Sequence, residues 1–135
     1  MKEMSYEERS YEILDHDDYR GFEYYIIKCG SHPTAYVKIP ADEKKSEYIA
    51  GQLFCHGGIT YNEKYLNLPD DDKREEKGYR WIGWDYAHGM DALIGIQFGY
   101  KNKKYTQIGH QWSTEEILKE VKNVIEQLEL LIINI

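Results

Sequence analysis

Phe22-Glu23-Tyr24-Tyr25-Ile26-Ile27-Lys28-Cys29-Gly30-Ser31-His32-Pro33-Thr34-Ala35-Tyr36-Val37-Lys38-Ile39-Pro40 reads as two strands and the bend between them. Phe22 to Cys29 is rich in aromatic and β-branched residues, which suit a pleated, half-buried surface. Gly30 to Pro33 punctuates the run, Thr34 to Ile39 alternates as a returning strand, and Pro40 stops it. An antiparallel meander is the expected core of the fold.

Upstream, Tyr11-Glu12-Ile13-Leu14 reads as a first strand, and Asp15 to Gly21 as a turn ending in glycine. Downstream, the charged stretch Ala41 to Gly51 is expected to be a loop or a short helical turn. Leu53 to Tyr61 returns to apolar and glycine character and is expected to include a further strand. Asn62 to Lys77 mixes both signs of charge and reads as a solvated loop. Tyr79 to Asp85 reads as a central strand, with one or two more in Asp91 to Tyr100 and Tyr105 to Gln111, joined through Lys101-Asn102-Lys103-Lys104.

Ser113-Thr114-Glu115-Glu116 is a capping box, with Ser113 at the N-cap. Ile117, Leu118, Val121, Val124, Ile125 and Leu128 follow at helical spacing. Beyond them Leu130-Leu131-Ile132-Ile133 is apolar all round, so the helix needs cover from the sheet or from a second subunit. The fold class is α+β: an antiparallel sheet with a C-terminal helix packed on it, and the length is that of a single domain over residues 1–135.

Composition narrows the function. A formal net charge of −7 argues against a long nucleic-acid duplex as partner, because such binding rests on cationic contacts to phosphate. A small phosphorylated ligand needs only a local cluster of donors. Tyrosine is abundant, with 13 copies against three Trp and three Phe, and it gives contact area with a polar tip. No apolar run resembles a signal peptide or spans a bilayer, and two cysteines make no disulfide framework, so a cytosolic location is expected.

Chemistry concentrates in Cys55-His56-Gly57-Gly58-Ile59-Thr60-Tyr61 and in Tyr79-Arg80-Trp81-Ile82-Gly83-Trp84-Asp85-Tyr86-Ala87-His88. Cys55, His56, Asp85 and His88 are metal ligands by type, but their spacing is not that of a zinc finger, and no metal or other cofactor is expected. Cys55 lacks an identifiable base and third group, so it reads as an inert buried thiol. No phosphate-binding loop or dinucleotide fingerprint is present, and catalysis is not supported. Two readings of the aromatics and glycines stay open. They build core and turns, or they hold a flat, partly anionic ligand by stacking and by backbone amides at Gly57 and Gly58.

Four motifs together carry a resemblance. They are Gly30-Ser31-His32-Pro33-Thr34-Ala35-Tyr36-Val37-Lys38-Ile39-Pro40, Cys55 to Tyr61, Trp81-Ile82-Gly83-Trp84-Asp85-Tyr86-Ala87-His88, and Trp112-Ser113-Thr114-Glu115-Glu116. In that order, from Gly30 to Leu128, the chain resembles the first-described Thoeris anti-defence proteins of phages. These are not enzymes. They bind and sequester cyclic ADP-ribose isomers made as immune signals, and some members also hold cyclic oligonucleotides. The chain departs from the family pattern at Trp84, where Phe is usual, at Tyr86, where Cys is frequent, and at Gly109-His110, where a basic residue is expected.

The resemblance implies a homodimer formed through the C-terminal helical part, pockets at the interface, and action in the bacterial cytoplasm. It implies three pocket walls: His32, Thr34 and Tyr36; His56, Gly57, Gly58 and Tyr61; and Arg80, Trp84, Asp85 and His88. Asp85 would accept from ribose hydroxyls or an adenine amine, Arg80 or a lysine would meet phosphate, and an aromatic would stack. Adjacent strand residues face opposite ways, so Trp84 is expected toward the core and Asp85 and His88 toward the ligand. The alternatives are a nucleotide hydrolase or lyase using His56 and His88 as an acid–base pair, and an interaction module docking through its apolar C-terminal end.

Overall fold

The computed structural model describes residues 11–29, 32–66, 75–86 and 112–133. Five strands form one antiparallel sheet: β1 (Tyr11–Tyr19), β2 (Phe22–Cys29), β3 (His32–Pro40), β4 (Tyr61–Glu63) and β5 (Tyr79–Asp85). Their order across the sheet is β1-β2-β3-β5-β4. Two helices, α1 (Glu43–Gln52) and α2 (Thr114–Ile133), complete the described fold. The expected strands at Asp91–Tyr100 and Tyr105–Gln111 lie outside the described residues.

Alternation along each strand separates two faces. Tyr24, Ile26, Ala35, Val37, Ile39, Ile82, Trp84 and Tyr86 face the helices and join Ile49 of α1 and Ile117, Val121, Val124, Ile125 and Leu128 of α2 in the main core. The other face carries a smaller cluster of Tyr25, Ile27, Trp81 and Leu66, flanked by Tyr36 and Tyr61. The capping box forms as its sequence requires: the Ser113 amide donates to Glu116 Oε1 at 2.9 Å, and the Glu116 amide to Ser113 Oγ at 3.1 Å.

Four local expectations are corrected. Asp15 to Gly21 is not all turn: β1 continues through Tyr19, and only Arg20 and Gly21 turn the chain. Both have positive φ, 52° and 87°, the signature of a tight hairpin turn whose twist matches its strands. The aspartates are tolerated because β1 is an outer strand of the sheet, and Asp15 Oδ2 accepts the Tyr24 hydroxyl at 3.0 Å. Burial of that hydroxyl, then its bond to Asp15, pushes the Tyr24 phenol up to about 12.

The second correction is α1, where a loop or one turn was expected. Asp42 caps it, accepting from the Lys45 amide at 2.8 Å, but the helix fully buries only Ser46 and Ile49. Two inward positions are too few to show a helical period in the sequence. The third is Leu53 to Tyr61, which contributes to a strand only at Tyr61. Gly57 and Gly58 have φ of 72° and 80°, and the Gly58 amide closes a turn onto the Cys55 carbonyl at 3.0 Å. The loop expected after Asn62 is in part structured, since Leu66 is buried and Tyr65 bridges Glu75.

Gly83 has a packing reason. Tyr36 and Tyr61 stand opposite it on either side, and their rings meet edge to face at 5.2 Å across the missing side chain. A Cβ there would stand 2.6 Å from Tyr36 Cδ1 and 2.8 Å from the Ala35 carbonyl oxygen. Because one obstacle is backbone, rotamer adjustment alone does not relieve it. Gly83→Ala should therefore cost about 1–3 kcal/mol, read as a lower melting temperature.

Candidate functional site

Several segments meet where β5 ends. The Tyr86 amide donates to the Pro33 carbonyl at 3.0 Å, tying the end of β5 to the start of β3. The Thr60 amide donates to the Gly83 carbonyl at 2.9 Å and brings in the glycine turn. Trp112 arrives from just before the capping box of α2.

On the helix side the meeting point is a cluster of rings. His56 and Tyr86 are nearly parallel, 8° apart with centroids at 4.8 Å, an offset stack. Trp112 tilts against both, at 4.9 Å and 5.0 Å. Beneath the rings, Trp84 Nε1 donates to the Tyr86 hydroxyl at 2.9 Å, and that hydroxyl donates to Glu120 Oε1 of α2. Glu120 Oε2 accepts the His56 backbone amide at 2.8 Å. Burial first, and the bond to Glu120 second, hold the Tyr86 phenol far above its usual value. Burial, reinforced by the nearby Glu120 charge, also pushes the Cys55 thiol up to about 12.

On the opposite face, Thr34 and Asp85 are direct cross-strand partners. Thr60 Oγ1 lies 3.5 Å from Asp85 Oδ2. Next along the sheet comes the Tyr36–Tyr61 pair over Gly83, with the Tyr61 hydroxyl donating to the Tyr65 carbonyl at 2.6 Å. This face offers aromatic edges beside a carboxylate and two hydroxyls.

The eleven residues expected to line a pocket divide accordingly. His32, Thr34, Tyr36, Tyr61 and Asp85 share the outer face at one end of the sheet. His56 stands on the helix side, with Gly57 and Gly58 carrying the chain round the end of β5. Trp84 is fully buried, with no wall exposed to a ligand. Arg80, 9% exposed, also faces the helices but at the other end of β5, roughly 16 Å from Asp85 at strand rise. Its Nε and Nη2 donate to the side-chain and backbone oxygens of Asn62 at 2.9 Å and 3.0 Å. His88 lies outside the described residues.

The turn itself offers less than its two glycines promised. The Gly58 amide is spent on Cys55 and the His56 amide on Glu120, which leaves that of Gly57. Tyr86 and Trp112 belonged to the quoted motifs but had been given no role, and their aromatic character was the available signal. Thr60 lay in the motif as well. Glu120 carried no signal, because its partners are remote in sequence. Among the described residues, no group of three or more His, Cys, Asp or Glu side chains is placed to hold a metal ion.

Comparisons with family models, with curated proteins and with solved structures find no match to this chain.

Two measurements check this geometry. Trp84→Ala should cost about 3–5 kcal/mol of stability, as for a buried aromatic. Asp85→Ala should leave the melt nearly unchanged, and any ligand that donates to this carboxylate should lose about 1.5–3 kcal/mol by calorimetry. Separately, at pH 9 an ordinary thiol is half ionised, whereas Cys55 in the folded protein keeps its proton to about 12. Peptide mapping after brief iodoacetamide treatment at pH 9 should find Cys55 labelled only once the protein is unfolded.

Proposed function

We propose that this protein binds and sequesters a cyclic nucleotide signal of the cyclic ADP-ribose type without cleaving it, as a phage anti-defence protein in the host cytoplasm. The observation that carries the reading is that the end of β5 is bordered by a ring cluster on the helix side and by Tyr36, Tyr61, Thr34, Thr60 and Asp85 on the outer face, each a surface on which part of a nucleotide could rest. A cyclic ADP-ribose isomer has a flat adenine ring, which stacks on aromatic rings, and ribose hydroxyls, which donate to a carboxylate. Trapping a ligand needs only shape, stacking and hydrogen bonds. The groups described here are of that kind, and the Cys55 thiol holds its proton.

The reading includes a homodimer. Phe54, Leu130 and Ile133 are 82%, 65% and 77% exposed. A Gln127 side chain, bonded to both the amide and the carbonyl of Phe54, ties the first of these to α2. Apolar exposure at this end of the helix layer supports cover by a second subunit. No helix among the described residues is long and apolar enough to cross a membrane.

The test is recovery of the ligand. The protein is incubated with each cyclic ADP-ribose isomer and with cyclic oligonucleotides, separated from free ligand, heat-denatured, and the released material chromatographed. One isomer should return intact and in stoichiometric amount. Accumulating linear products would replace this reading with a hydrolase or lyase using His56 and His88, and retention of none of the nucleotides would end it.

A further inference from the structure

Glu120 lies on the margin of the apolar stripe of α2, one helical turn from Ile117 and Val124. A carboxylate there would ordinarily turn to water. Instead its two oxygens reach two different parts of the chain: the Tyr86 hydroxyl at the end of β5, and the His56 amide at the start of the glycine turn. Both partners are neutral donors, and among the described residues no cation pairs with Glu120. The Tyr86 hydroxyl is held in turn by Trp84 Nε1.

We infer that Glu120 is the positioning residue of the ligand site, fixing the His56 ring against Tyr86; the inference rests on the sequestration reading. The glycine turn supplies the reason. Gly57 and Gly58 give the backbone wide freedom, and the bond from Gly58 to Cys55 closes the turn without reaching the His56 amide. Glu120 removes that freedom by fixing the His56 amide and the ring's stacking partner with one rigid group. A stacking surface set in place before binding costs the ligand less ordering entropy. The same carboxylate also repels phosphate from the rim beside His56. The ring stack therefore takes the neutral heterocycle of a cyclic nucleotide, and the phosphates lie away from it.

The variant is Glu120→Gln, which keeps the side-chain volume but not two acceptor oxygens facing two donors. The control is Glu126→Gln on the same helix, where Glu126 Oε2 accepts the Tyr19 hydroxyl at 2.8 Å, away from the end of β5. Both variants remove one charge from α2; Glu126→Gln can keep its single bond through the amide oxygen, whereas Glu120→Gln cannot serve two donors, so a mere effect of charge predicts similar behaviour. Affinity for the cyclic ADP-ribose isomer retained by the wild type should fall about tenfold to a hundredfold in Glu120→Gln, the loss expected of a hydrogen bond to a charged group, and stay unchanged in Glu126→Gln. Exchange of the His56 amide hydrogen should quicken in the first variant and not in the second.

Equal loss of affinity in both variants, or in neither, overturns the inference. If the wild type retains no cyclic nucleotide, the proposed function falls, and the His56 amide decides the positioning role alone. If Glu120→Gln does not fold, the wild type still decides. Its His56 amide should exchange far more slowly than that of Gly57, and equal rates would mean that the clamp does not exist.

Discussion

β5 is covered on both faces, and the rest of the structure follows from that double burial. Its inward residues, Arg80, Ile82 and Trp84, meet the helices, and Trp81 and Gly83 meet the second, smaller cluster. A strand so placed cannot slip by one residue, because a slip would exchange Trp84 with Asp85 and leave a carboxylate in the core. The register thereby fixes what stands at each end of the strand. Arg80 is held at one end with Asn62, and Asp85 and Tyr86 at the other end with the start of β3 and the glycine turn. The polar groups of the candidate site are placed by a strand whose own side chains are mostly occupied elsewhere.

What could be read from the sequence follows the same division between local and remote causes. β2, β3 and β5 were legible because their composition and alternation are local properties, and the capping box of α2 because its partners are three residues apart. Alternation set Trp84 opposite Asp85 and so favoured it as the inward residue, whereas the family resemblance had also put it in a pocket wall, which its full burial rules out. The second half of β1 was not, since an outer strand can expose Asp17 and Asp18 without penalty, and those residues look like a turn. α1 was hidden because its contact with the core is narrow. Within the site, Tyr36, Tyr61, Thr34 and Asp85 fall on one face as strand parity requires. The position of His56 across the sheet from them depends on the path of residues 53–60, which only glycine angles and the bond to Glu120 determine.

Charge has a part in this arrangement that the net value conceals. Lys38 Nζ lies 2.7 Å from Glu76 and 3.4 Å from Glu23, and Glu23 also binds His16 at 2.7 Å. Arg20 reaches Glu129 at 2.9 Å. These partly exposed pairs stabilise little individually. They do keep several basic side chains engaged within the fold, at positions remote from the end of β5. Among the described residues, the end of β5 gathers aromatic rings and hydroxyls with Asp85 and Glu120.

The margins of the sheet carry a last consequence. One margin of the described sheet is β1, interrupted near Leu14 and bearing Glu12, Asp15, Asp17 and Asp18; the other is β4, three residues long. If two copies joined β1 to β1 in antiparallel fashion, carboxylates would be set against carboxylates, and β4 offers too few amides to template another strand. Ribbon-like growth from sheet to sheet is thus discouraged at both sides. In a crowded cell, where unpaired strands recruit one another into fibres, neither margin of the described sheet is a ready template for such growth.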